Sequence, residues 1–117
     1  FYNQFRQMKK LFFLTTIAIS TVFFAKADPA KKVNLTYQNG KLKIEAIHKV
    51  KDPQKHYIDQ IVINIDGKDV KTVTLKFQNS KDAELLEIPI DLKKGTKVKA
   101  TTRCNEFGIK KGEITIE

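Results

Sequence analysis

Three side chains in this sequence have the chemistry to hold a transition metal: His48, His56 and Cys104. Imidazole nitrogen and thiolate sulfur are donors that suit Fe(II), Zn(II) and copper. The chain has 117 residues, and these are its two histidines and its one cysteine. Little else in it points to catalysis. It has no Gly-rich phosphate loop and no CxxC pair, and its serines and threonines form no nucleophile arrangement with the two histidines. The carboxylates are scattered, so no paired general acid and base can be argued from them. Each of the three donors also has an ordinary reading. Cys104 is in phase with Val98 and Ala100, as a core residue would be, and a histidine at a strand end is commonly a surface side chain.

The elements that must position these residues are strands. From Asp28 onward the pattern alternates with a period of two, with no helical stretch. Lys32 to Tyr37 alternates and ends at Asn39-Gly40, a strong hairpin signal. Lys41 to Val50 follows, with Leu42, Ile44, Ala46, His48 and Val50 on one face, and Asp52-Pro53 breaks it. His56 to Ile65 reads as a long strand closed by Asp66-Gly67. Val70 to Phe77 places Val73, Leu75 and Phe77 on one side. A polar stretch, Gln78 to Asp82, leads to a strand over Leu85 to Leu92. Strands over Val98 to Cys104 and Ile109 to Ile116 close the chain. About seven short strands at this spacing predict an all-β, immunoglobulin-like antiparallel sandwich. His48 and Cys104 end strands and His56 follows a loop, where a sandwich can bring distant sequence positions together.

The local sequence around two of these donors resembles a known family. Lys55-His56-Tyr57-Ile58, followed by Asp66-Gly67-Lys68, is similar to the EHYIxWI…DGK segment of superoxide reductases, the iron-binding domains of desulfoferrodoxin and neelaredoxin. Near the C-terminus, Cys104-Asn105-Glu106-Phe107-Gly108 resembles the family's CNxHG motif. The resemblance implies an immunoglobulin-like sandwich and a non-haem iron held by four histidines and an axial cysteine thiolate. It also implies reduction of superoxide to hydrogen peroxide, with a nearby lysine attracting the anion. Carried over residue by residue, Cys104 matches the axial cysteine and His56 the histidine of HYI. Phe107 stands where the family has a ligand histidine, and no histidine lies between Asp28 and Leu42. Val50 matches a further ligand position, two residues from His48. The metal set implied is Cys104, His56 and His48, with Fe(II) as the ion and Zn(II) as the alternative. No His or Met follows Cys104, which argues against a blue-copper site. Phe107 is expected to put an apolar ring where a ligand would sit. A non-enzymatic metal- or protein-binding module on the same fold is the alternative to the enzyme.

Charge and the N-terminal segment bound the setting. Residues 1–27 hold Arg6, Lys9, Lys10 and Lys26 and no acidic residue, within a total net charge of +9. The remainder carries 18 basic against 13 acidic residues, with the lysines dispersed and Arg103 the only arginine. That is a solvated surface rather than a nucleic-acid stripe. Met8 with Lys9-Lys10, the apolar run Leu11 to Phe24 and Ala25-Lys26-Ala27 have the three parts of a signal peptide. Cleavage before Asp28 is expected, giving a periplasmic or secreted domain over 28–117, with 1–7 a mis-called start. One cysteine allows no internal disulfide. A protein partner or electron donor is expected but not identified by the sequence, and edge strands permit a homodimer.

Overall fold

The structure, a computed structural model, describes residues 27–117. The expected signal peptide lies outside the described residues except for Ala27. Seven antiparallel strands form two packed sheets: β1 (Lys32–Gln38), β2 (Lys41–Ile47), β3 (Ile58–Ile65), β4 (Lys68–Thr74), β5 (Ala83–Pro89), β6 (Lys97–Cys104) and β7 (Ile109–Thr115). One sheet has the order β1-β2-β5 and the other β4-β3-β6-β7. Alternation supplies the core. Leu42, Ile44 and Ala46 from β2 face Ile61 and Ile63 from β3 and Val98 and Ala100 from β6, all essentially inaccessible to solvent. Each large aliphatic side chain so buried contributes about 1.5–3 kcal/mol.

Turn chemistry fixes the register. Asn39 and Gly40 both have positive φ (54° and 74°), as do Asp66 and Gly67 (49° and 90°), so two-residue turns join β1 to β2 and β3 to β4. Gly112 of β7 is required by packing instead. A Cβ there would overlap the backbone of Val33, so the missing side chain is what lets β1 lie against β7.

Two expectations are corrected. The strand expected to run to Phe77 stops at Thr74 as the exposed edge strand β4, so the alternation does not reach Phe77, which is 58% exposed. The long strand expected from His56 begins only at Ile58, because the amides of Lys55 and His56 both donate to the Asp52 carbonyl and close a turn. Gln78, which opens the polar stretch, is 2% exposed.

One irregularity shapes the end of the sandwich where the donors lie. The β3–β6 register slips between Ile58 and Gln60, so Asp59 is the extra residue of a bulge. The slip puts Ile58 and Ile61, three residues apart, both in the core. It also pairs Ile58 with Cys104. Asp59 is turned outward, where it accepts from Arg103 Nε at 2.9 Å.

Candidate metal centre

His48, His56 and Cys104 converge at one end of the sandwich, with one donor atom from each lying within 4.8 Å of the others. Each arrives by a different route. His48 follows the last residue of β2, and its inward phase continues that of Leu42, Ile44 and Ala46, leaving it 2% exposed. Cys104 ends β6, and it is a free thiol 2% exposed. His56 sits two residues before Ile58, the partner of Cys104. The rings of His48 and His56 meet edge to face, 4.8 Å between centroids.

Asn105 ties the two loops together. Its side chain accepts from the Tyr57 amide (2.9 Å) and donates to the Lys55 carbonyl (2.9 Å), while its own amide donates to the Tyr57 carbonyl (3.0 Å). Three hydrogen bonds thus hold the His56 loop against the residue that follows Cys104. The CN pair of the sequence is a ligand-type residue next to its own clamp.

The outer contacts of the histidines fix which nitrogen faces inward. Gln78 Nε2 donates to the carbonyls of His48 (2.7 Å) and Ser80 (2.9 Å), which sets the orientation of its amide. Gln78 Oε1 is therefore an acceptor, and it takes the Ile58 amide and His48 Nδ1–H at 2.8 Å. His56 Nδ1 lies 2.7 Å from Glu106 Oε2. The Nδ1 of each ring thus faces an outer oxygen, while His48 Nε2 lies 3.0 Å from the Asp28 carbonyl and His56 Nε2 lies 2.9 Å from the Asp28 carboxylate. His56 Nε2 is buried and has no hydrogen-bond partner. A metal-bound histidine that donates its other N–H to a carboxylate or amide oxygen is the usual arrangement of such centres. The donor set and the orphaned nitrogen together fit a transition-metal ion.

Phe107 does not fill the site. Its side chain is 57% exposed, so the apolar plug expected from the sequence is absent. Gly108, with φ of 115°, lies against Pro29, where a Cβ would come within 2.8 Å of the proline ring. Beside the donors an open groove of about 520 Å³ is lined by Asp28, Lys49, Val50, Lys51, Asp52 and His56.

Sequence reasoning missed Gln78, Glu106 and Asp28. Glu106 had a signal, being a carboxylate two residues from Cys104. Asp28 had one in the pairing of Lys32 with Ile47, which brings the residues before β1 beside His48. Gln78 had none, because its contacts are made across thirty residues of chain.

No protein-family profile matches the sequence, and no curated protein is similar to it at a significant level. Among solved structures, the chain is similar to a superoxide reductase in its oxidised state, at 16% identity over 81% of this chain and 93% of that one, with a TM-score of 0.49. It is also similar to a superoxide reductase from Nanoarchaeum equitans (18% identity, 80% and 95% covered, TM-score 0.45). A neelaredoxin variant from Ignicoccus hospitalis gives 16% identity, 78% and 82% covered, and a TM-score of 0.46. These are distant likenesses of chain path.

Proposed function

We propose that the chain is an exported domain of superoxide-reductase type that holds Fe(II) through His48, His56 and Cys104 and reduces superoxide to hydrogen peroxide. The observation that carries the reading is the convergence of two imidazoles and one thiol at the end of a sandwich. The HYI, DGK and CNxxG matches point the same way, since they bear on the same residues. When bound, ferrous iron supplies the one electron that superoxide needs, and two protons complete hydrogen peroxide.

The protein's own residues account for the remaining requirements. Gln78 Oε1 and Glu106 Oε2 lie against the Nδ1 atoms of His48 and His56 and orient the two rings. Burial of Cys104 keeps its sulfur from bulk oxidants. Lys49 and Lys51 line the groove that reaches His56, and their charge favours entry of a small anion.

A second reading is a non-enzymatic metal-binding module, with Zn(II) as its ion. Val50 and Phe107 favour it, because both stand where the family has histidines. The test is anaerobic reconstitution of the full chain with Fe(II), then oxidation and a search for a thiolate-to-iron charge-transfer band, alongside superoxide consumption. Stoichiometric iron, a band lost in Cys104→Ser and superoxide turnover are expected. Tight zinc with no turnover in the iron form would establish the second reading, and metal uptake indifferent to Cys104 would sink both.

A further inference from the structure

Among the described residues five large apolar side chains are exposed, and three of them, Phe77, Phe107 and Ile109, lie at the end of the sandwich that carries the metal donors. Single exposed apolar residues are ordinary on a protein surface. Phe107 and Ile109 differ in sharing one groove of about 410 Å³, beside the Asp59–Arg103 ion pair. The loop that carries Phe107 is also fixed. Its carbonyl accepts from the Asp28 amide at 2.8 Å, and the Gly108 carbonyl accepts from the Cys104 amide at 2.9 Å. Gly108 itself packs on Pro29 too closely for a side chain. A held backbone thus presents the aromatic ring to solvent, and Lys110 and Lys111 follow it, both exposed on β7.

Charge is distributed in the same sense. The loops at the donor end (28–31, 48–57, 75–82 and 105–108) hold six lysines and four carboxylates. Those at the opposite end (39–40, 66–67, 90–96 and 116–117) hold two lysines and three carboxylates. The domain therefore has a positive pole, and the exposed Phe107 and Ile109 stand on it. The chain enters the domain at that pole too. The apolar run Leu11 to Phe24 ends three residues before Ala27, a reach of about 10 Å of extended chain, and Asp28 is fastened to Phe107. A segment of that composition enters a bilayer, as a signal or as an anchor. The membrane it enters therefore lies beside Phe107. Lysines next to exposed aromatic and aliphatic side chains are the composition that binds an anionic lipid surface.

We propose that Phe107, Ile109, Lys110 and Lys111 form a docking surface for an anionic lipid bilayer, so that the domain rests by its donor end on the membrane that its N-terminal run enters. The two apolar side chains enter the boundary between headgroups and acyl chains, and the lysines face lipid phosphates. The inference goes beyond the metal-binding reading and does not rest on it, since none of the four residues is a donor.

The chain has no tryptophan, so a single indole reports on one position. Phe107→Trp, Ile109→Trp and, as a control on the exposed edge strand β4, Val70→Trp are made in the full chain, with circular dichroism to confirm folding. Each is mixed with vesicles of phosphatidylglycerol and phosphatidylethanolamine, part of the lipid carrying brominated acyl chains. The indoles at positions 107 and 109 should shift to shorter wavelength and be quenched, while that at position 70 stays unquenched. Adding Lys110→Glu and Lys111→Glu to Phe107→Trp should move the ratio of quenched to unquenched indole more than about tenfold toward unquenched. Absence of vesicle binding, unquenched indoles at 107 and 109, or equal quenching at position 70 would each overturn the proposal. Quenching at position 107 that survives both charge reversals would overturn it as well.

Discussion

Two buried polar residues show how much a single side chain decides here. Gln78 uses every hydrogen-bonding atom it has, serving His48 twice, Ile58 and Ser80. Gln78→Leu leaves those partners in a dry interior, so it should lower stability by about 3 kcal/mol in urea unfolding. The same change removes the acceptor facing His48 Nδ1, and ¹⁵N NMR of the ring should detect its loss. Glu84 is the other case. It is 3% exposed, and desolvation raises its pKa above 4.5, partly opposed by hydrogen bonds from the Asn79 and Leu85 amides. The folded protein therefore binds this proton more tightly than the unfolded chain does. Stability is greatest below the ordinary carboxylate value and falls as pH rises through the raised folded value. Glu84→Gln should flatten that decline in urea midpoints measured from acid to neutral pH, because the amide oxygen can still accept from Asn79.

At the scale of elements, the site depends on two loops from different strands being held in contact, and Asn105 does most of that holding. Asn105→Ala removes two side-chain hydrogen bonds at an exposed position. It should cost about 1–2 kcal/mol of stability and, more tellingly, weaken cobalt binding by about tenfold as His56 loses its placement. This level also separates what the sequence made legible from what it hid. The Asn39-Gly40 turn was readable because its cause is local: two adjacent residues that tolerate positive φ. Cys104 and His48 could be phased with their strands for the same reason. The start of β3 could not be placed, because the Asp52 turn and the Asp59 bulge arise from hydrogen bonds outside any period-two pattern. Nor could the exposure of Phe77 be read, since alternation does not show that β4 stops at Thr74, short of it.

For the whole molecule, the ion would act on the folding equilibrium as well as on chemistry. Its donors come from the end of β2, the turn before β3 and the end of β6. An ion bound only by the folded state stabilises it by mass action. Saturating cobalt should raise the thermal midpoint of wild type in a concentration-dependent way and leave Cys104→Ser much less affected, as calorimetry would show.

The opposite end of the sandwich is fastened differently. There the Tyr37 hydroxyl donates to the Ile90 carbonyl (2.9 Å) and accepts from the Leu92 amide (3.0 Å), riveting β1 to the chain leaving β5. That rivet is covalently part of the protein and always in place. The donor end is tied by Asn105 and Gln78, yet it leaves His56 Nε2 buried without a hydrogen-bond partner among the described residues. The donor end is therefore the one that an ion would tighten. Without an ion, the amides of Tyr57, Cys104 and Asn105 would exchange with solvent well before that of Leu92. Metal occupancy would become visible as the silencing of that one-ended motion.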